Sequence, residues 1–149
     1  MSDIDYNDIV VEETWCNSRR EEVIEYLQAQ QVIHGAVGEW PAWHVAPYVS
    51  IWAIESKINP GWIGWWVISG DLPTDYISAD SIKHPREALL AFSNRWREMA
   101  SYMERGELYP AIKIGPPESW PMLIPLLNSR AKTLYEWAND EEMWYETDI

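Results

Sequence analysis

The sequence predicts an α+β domain, in which a small antiparallel sheet packs with about three helices in the order α-β-β-(β)-α-α. Two patterns carry this prediction: an apolar hairpin near the middle of the chain, and a helix with a continuous apolar stripe that follows it. The chain has 149 residues, the size of one ordinary domain, and no repeat or linker divides it. We therefore expect a single domain over residues 1–149 with acidic ends.

Strong helix formers, uninterrupted by Gly or Pro, predict the first helix between about residues 12 and 31. Ser18 and Glu21 have the spacing of a capping box, but the residues just before them, 12–17, could be helical too, so the start of the helix is left open. Residues 34–47 contain two glycines and two prolines, so they are interpreted as an irregular connection.

The β-hairpin is predicted from about residue 48 to residue 69. Two runs rich in β-branched and aromatic residues flank Asn59-Pro60-Gly61, a sequence that suits a type II turn. Both faces of the hairpin are apolar, so either helices cover both faces or one face is an exposed aromatic surface. A short third strand is predicted near residues 75–79.

Two further helices follow. Between Pro85 and Gly106, which suit the start and the stop of a helix, apolar residues recur at steps of three and four and form a core stripe. The members of the stripe are Leu89, Phe92, Trp96, Met99 and Met103. The last helix is predicted over residues 119–139, with Ser119 as its cap and a kink or restart at Pro125. Residues 111–114 could add an edge strand between these helices.

Charge is concentrated at the two ends of the chain. The formal net charge is −13, of which residues 1–17 contribute −5 and residues 136–149 contribute −6. Acidic ends repel a phosphate backbone, which argues against a nucleic-acid partner, and they suit either solubility or attraction to a basic partner. No apolar stretch is long enough for a bilayer, and the N-terminus lacks the pattern of a signal peptide. With Cys16 as the single cysteine, we expect a cytoplasmic protein and interpret Cys16 as a small apolar residue on a helix.

Tryptophan is unusually frequent: the chain has eleven Trp and eight Tyr, but one Phe. Trp and Tyr suit half-wet surfaces, so this composition indicates either an interface or a core that uses Trp. The candidate binding surface comprises Trp40, Trp43, Trp65, Trp66, Asp71 and Asp75.

Asp71 and Asp75 lie in the segment that follows the hairpin, where Gly70 and Pro73 force the chain to bend. Their first interpretation is structural, with the carboxylates accepting hydrogen bonds from backbone amides of the turn. The alternative is a catalytic pair with one carboxyl protonated and one ionised. That pair would need a nearby charge stabiliser, for which Lys83 and Arg86 are the closest candidates in sequence.

No motif for a metal, a nucleotide or a nucleophilic triad is recognisable. His34, His44 and His84 do not share the spacing of a zinc site, and no CxxC, GxGxxG, GxxxxGK[ST] or GxSxG sequence occurs. We therefore assign no catalytic residue, no metal ligand and no cofactor.

The segment WWVISGDLPTDY followed by REALLAFSNRW resembles an uncharacterised family of small bacterial proteins, catalogued as a domain of unknown function. The residues that carry the likeness are Trp66 to Tyr76, Arg86, Glu87, Ala88, Leu89, Phe92, Ser93 and Trp96. The resemblance implies one domain and a bacterial cytoplasmic origin, and it brings no activity with it.

Three classes of function are compatible with these patterns. We rank first a protein-binding module (an adaptor, an inhibitor or an immunity-like protein) whose partner carries a basic patch. Second is a small-molecule binder that uses the Trp-rich surface for stacking, and third is an enzyme built on Asp71 and Asp75. Neither nucleic acid nor membrane is an expected partner, and the sequence leaves the oligomeric state open.

Overall fold

The computed structural model describes residues 4–107 and 117–144, which form two compact units that divide between Pro85 and Arg86. The first unit contains one long helix and a four-stranded antiparallel sheet, and the second is helical. This arrangement confirms the predicted α+β class. The single-domain organisation stays a prediction, and each unit is described by itself.

Helix α1 spans Ile9–Ala29 and begins at a different cap from the predicted one. The carboxylate of Asp8 accepts hydrogen bonds from the backbone amides of Val10 and Val11, at 2.9 and 3.3 Å. These bonds satisfy amides that have no partner within the helix. Ser18 lies inside the helix, so the capping-box prediction is wrong. The Ser-x-x-Glu spacing also fits a helix interior, where it carries no information about the start.

The sheet of the first unit has the strand order β1-β2-β3-β4, and every neighbouring pair is antiparallel. Its strands are β1 (Trp43–Val45), β2 (Val49–Glu55), β3 (Ile63–Gly70) and β4 (Asp75–Ser78). Strands β2 and β3 are the predicted hairpin, and β4 is the predicted third strand. Strand β1 lies in the segment that was interpreted as irregular, because three residues are too few to establish an alternating pattern.

The hairpin turn has the predicted geometry. The amide of Trp62 donates to the carbonyl oxygen of Asn59 at 3.1 Å, and Gly61 has a φ of +91°. Glycine adopts a positive φ without steric cost, which explains its position after Pro60.

One face of the sheet packs against α1. Val23 and Leu27 of the helix contact Trp52, Ile54 and Val67 of the sheet, and all five side chains are buried. Each buried aliphatic side chain of this kind contributes about 1.5–3 kcal/mol to folding. The residues of the opposite face that pair across β2 and β3 are also buried, and include Val49, Ile51, Trp66 and Ile68. Neither face of the hairpin is therefore an extended exposed aromatic surface.

Cys16 is fully buried on α1. Burial, followed by the negative charge of Glu12, raises the pKa of the Cys16 thiol to about 11. At neutral pH the thiol is consequently protonated and a poor nucleophile. The interpretation of Cys16 as a small apolar residue on a helix is confirmed.

The second unit contains α2 (Pro85–Glu104), α3 (Trp120–Ala138) and α4 (Glu141–Trp144), with a 3-10 turn at Pro117–Ser119. The five residues of the predicted stripe on α2 are all buried, and Gly106 ends the helix with a φ of +72°. The hydroxyl of Ser93 donates to the carbonyl oxygen of Ala131 at 2.6 Å, which joins α2 to α3.

Helix α3 lies within its predicted bounds. Ser119 occupies the predicted cap position, but its side chain makes no capping hydrogen bond. The helix continues through Pro125, so a restart there is wrong, while a kink stays a prediction. The predicted edge strand at residues 111–114 lies outside the described residues.

Candidate functional site

An open groove of about 700 Å³ lies in the first unit, at the end of the sheet where β2 turns into β3. It is bordered by the residues that follow α1, by the tip of the hairpin and by β4. We call it the aromatic groove, after the apolar residues that line it: Ile33, Ile58, Trp62, Ile63, Trp65 and Tyr76. Its polar lining includes Gln30, Gln31, Ser56, Lys57, Asn59, Ser78 and Asp80.

The floor of the aromatic groove is fixed by strand register. Trp65 of β3 pairs with Ser78, and Val67 pairs with Tyr76, so Trp65 and Tyr76 lie diagonally on the same face of the sheet. Their rings meet edge to face with centroids 5.5 Å apart, and Tyr76 makes a similar contact with Tyr26 of α1 at 5.9 Å. The indole nitrogen of Trp65 donates to the carbonyl oxygen of Ile33 at 3.3 Å. These contacts hold the rings in place, so the floor is preorganised.

The rim of the aromatic groove exposes large apolar side chains. Relative to a fully exposed residue, Ile33 is 77%, Ile58 87% and Trp62 71% accessible. Scattered exposed apolar residues are common, but three around one concave surface form a contiguous patch of the kind that marks an interaction site.

Trp40, at the edge of a second depression, lies against a histidine. The ring of Trp40 meets that of His44 edge to face, with centroids 5.4 Å apart, and is 46% accessible. The His44 ring is in turn stacked on Trp15 at 6.3 Å, and its Nε2 lies 2.9 Å from the carboxylate of Glu12. His44 is half-buried in this cluster.

The structure separates the six residues of the predicted binding surface. Trp65 lies in the aromatic groove, Trp40 is exposed and Asp71 is exposed. Trp43, Trp66 and Asp75 are buried, which corrects the surface assignment for these three residues. All three lie on the sheet face opposite to α1, and strand alternation sends Trp66 to the interior while its neighbour Trp65 reaches the groove.

The loop that carries the two aspartates is tied to the sheet and to α1. The buried Asp75 accepts a hydrogen bond from the amide of Tyr76 at 2.9 Å, as the structural interpretation expects. The hydroxyl of Thr74 donates to the carboxylate of Glu22 on α1 at 3.1 Å. Glu22 also accepts from the hydroxyl of Ser69, at the end of β3.

Glu55 connects the hairpin turn to the segment beside it. Its carboxylate accepts hydrogen bonds from the amides of Ala36 at 3.1 Å and Gly61 at 3.0 Å. These two bonds hold the pKa of Glu55 below its ordinary value of 4.5.

Acid should weaken the fold through Glu55. Because the folded-state pKa is lowered, the ionised carboxylate stabilises the fold above pH 4.5, and this contribution disappears as the pH falls through the folded-state value. We expect Glu55→Gln to flatten the loss of stability below pH 4.5, measured by urea unfolding at a series of pH values. The matched control is Glu25→Gln, which removes an exposed carboxylate of α1 that accepts no hydrogen bond from the described residues. An equal flattening in both variants would contradict the role of Glu55.

Sequence patterns did not identify Trp62, Tyr76, Ile33 and Ile58 as members of the site. Trp62 follows the turn directly, and the register of β2 and β3 shifts between Ile54 and Glu55. Because of this irregularity, a simple alternation along the strands does not show which side chains near the hairpin tip point outward. The usable signal is a large apolar residue next to a turn, as for Ile58 and Trp62, where burial is hard to achieve.

Across residues 4–107 and 117–144, no group of three or more His, Cys, Asp or Glu side chains is arranged to hold a metal ion. Over the same part of the chain, no helix is both long and apolar enough to cross a membrane.

The fold and the groove define an α+β protein with an open aromatic groove. Residues 10–144 match the family described as "Domain of unknown function (DUF4826)", and the chain belongs to that family. The resemblance to an uncharacterised family is thereby confirmed, over far more of the chain than the segment that suggested it. Searches of the curated proteins and of the solved structures find no match.

Proposed function

We propose that the chain is a cytoplasmic protein-binding module, with an adaptor, inhibitor or immunity-like role, and that its aromatic groove receives a protein partner with a basic patch. The observation that carries this proposal is the exposure of Ile33, Ile58 and Trp62 around a floor of fixed aromatic rings. Removing such a rim from water on association is favourable, and Trp and Tyr are the residues that most often dominate binding energy at interfaces.

Charge favours a basic partner. Residues 1–85 contain thirteen acidic residues and four basic ones, so the unit that carries the groove has a formal charge of −9. A field of this sign accelerates the encounter with a positive surface and repels nucleic acid. The acidic N-terminal segment supplies −5 of this charge, and residues 136–149 contribute a further −6 to the net charge of the chain.

Affinity capture from a lysate of the encoding cell, followed by binding kinetics with the purified partner, tests this proposal. We expect Trp62→Ala to weaken binding of the captured partner by about tenfold or more, since an exposed ring that anchors an interface behaves as a hot spot. The association rate should also fall as salt is raised, because screening removes the steering. Tyr48→Ala is the matched control, because Tyr48 is an exposed aromatic residue outside the groove. A partner that binds Trp62→Ala and wild type equally, at a rate independent of salt, would refute the proposal.

A small-molecule ligand is the second candidate, and the dimensions of the aromatic groove favour it. A volume of about 700 Å³ suits a single organic ligand. The edge-to-face pair of Trp65 and Tyr76, with amides and hydroxyls nearby, offers stacking and hydrogen bonds for a sugar or a planar ring. Calorimetric titration with fractionated metabolites distinguishes the two candidates. The small molecule is favoured if a metabolite fraction gives a heat of binding, if Trp65→Leu abolishes this heat, and if affinity capture yields no protein.

An enzyme that uses Asp71 and Asp75 ranks third, because one carboxylate is exposed and the other is buried at the start of β4.

A further inference from the structure

Two further depressions of the same unit adjoin the aromatic groove. The middle depression, of about 490 Å³, shares Trp62 and Ile63 with the aromatic groove. The Trp40 depression, of about 480 Å³, shares Arg20 and Glu39 with the middle one. We call this series of three adjoining depressions, from Trp65 to Trp40, the three-part groove.

Four residues of the middle depression have at most a single carbon as a side chain: Ala36, Gly38, Ala53 and Gly61. Its other lining residues have larger side chains: Arg20, Val37, Glu39, Glu55, Trp62 and Ile63. At Gly61 a Cβ atom would meet no other atom within 4 Å, so the space beside it is open. A chain that passes here can approach the surface closely, whereas its larger side chains need the depressions at the two ends.

The Trp40 depression has the chemistry of a cation site. The exposed ring of Trp40 lies beside Glu13, Asn17 and Glu39, and its orientation is fixed by the contact with His44. Arg20 also lines this depression, but its guanidinium donates to the carbonyl oxygens of Gly38 at 2.9 Å and Val37 at 3.1 Å. An aromatic face with two carboxylates nearby attracts an ammonium or guanidinium group by cation–π and charge interactions.

Resting on the proposed function, we propose that the partner binds through an extended segment that lies along the three-part groove. An apolar side chain of the segment occupies the aromatic groove, and a lysine or arginine of the same segment occupies the Trp40 depression. Charge supports this occupant: the groove is lined by Glu13, Glu39, Glu55 and Asp80, against Arg20 and Lys57. An extended segment is required because Trp65 and Trp40 line different depressions, so a compact ligand in the aromatic groove alone would not reach Trp40.

A display library of random twelve-residue peptides, selected on the full chain, tests the inference. We expect the selected peptides to carry an aromatic or aliphatic residue separated by several positions from a Lys or Arg. Trp62→Ala and Trp40→Ala should each weaken a selected peptide, by about tenfold and about three- to tenfold respectively. Tyr48→Ala and Glu21→Gln are the matched controls for the loss of an exposed ring and of an exposed carboxylate.

A double-mutant cycle locates the cation. Replacing the Lys or Arg of the selected peptide with norleucine should weaken binding to wild type severalfold, and should have no further effect on Trp40→Ala. If the replacement weakens both proteins equally, or if no peptide is enriched, the inference is overturned. Loss of binding in Trp62→Ala alone also overturns it, while leaving the aromatic groove as the binding site. If Trp40→Ala does not fold, Glu39→Gln replaces it in the same cycle, with the same criteria.

Discussion

Trp96→Ala is expected to lower the free energy of unfolding by about 3–5 kcal/mol, since it removes a large buried ring and leaves a cavity. Trp96 lies in the middle of α2, is inaccessible to solvent, and packs against Phe92 with ring centroids 6.1 Å apart. Urea unfolding measures the change. A whole domain has a free energy of unfolding of about 5–15 kcal/mol, so this variant should begin to unfold at a clearly lower urea concentration than wild type.

Asn94→Ala is the control for Trp96→Ala, because Asn94 is an exposed residue of the same helix and its loss should change stability by no more than about 0.5 kcal/mol. If Trp96→Ala unfolds at the same urea concentration as wild type, the stripe on α2 does not contribute to the core as its burial indicates.

Gly70→Ala is the second substitution with a large expected effect. Gly70 has a φ of +148°, which residues with a side chain rarely adopt, and a Cβ atom there would overlap the carbonyl oxygen of Tyr48. That carbonyl already accepts a hydrogen bond from the amide of Asp71 at 2.8 Å, so it has no room to withdraw without breaking the bond. Backbone strain and overpacking each cost about 1–3 kcal/mol, which gives an expected loss of about 2–6 kcal/mol in unfolding experiments.

Gly61→Ala separates the two causes. Gly61 also has a positive φ, but a Cβ atom at this position meets nothing within 4 Å, so only the dihedral cost remains. We expect Gly61→Ala to cost about 1 kcal/mol, clearly less than Gly70→Ala. Equal losses in the two variants would show that the overlap with Tyr48 contributes nothing.

Helices and strands that are determined by local sequence patterns could be predicted from the sequence. The β2–β3 hairpin follows from Pro60, whose ring fixes φ, and from Gly61, which tolerates the positive φ of the turn, and α2 follows from the spacing of its apolar stripe. Strand β1 could not be predicted in this way, because three residues are held by pairing with β2 rather than by their own preferences. The start of α1 was missed for the opposite reason: the Ser-x-x-Glu spacing at residue 18 imitates a cap that Asp8 provides.

The sequence predicted which types of residue form the candidate site better than it predicted which individual residues lie there. An excess of tryptophan indicated an aromatic surface. Strand alternation, however, buries Trp66 and opens Trp65 to the groove, and only the register of β3 determines which of the two is buried. The parts of the groove come from four separate segments of the chain, from α1 to β4. Tertiary packing brings these segments together, and a local sequence pattern carries no information about it.

The uneven placement of the tryptophans gives this protein a built-in optical reporter. Trp52, Trp66, Trp96 and Trp144 are shielded from water, whereas Trp62 and Trp40, which both line the three-part groove, are open to it. A dissolved quencher such as acrylamide or iodide therefore reaches the emission of the open indoles first and leaves the shielded ones bright. A bound occupant that covers both open rings would protect the quenchable part of the emission, while the shielded part would report separately on whether the fold remains intact.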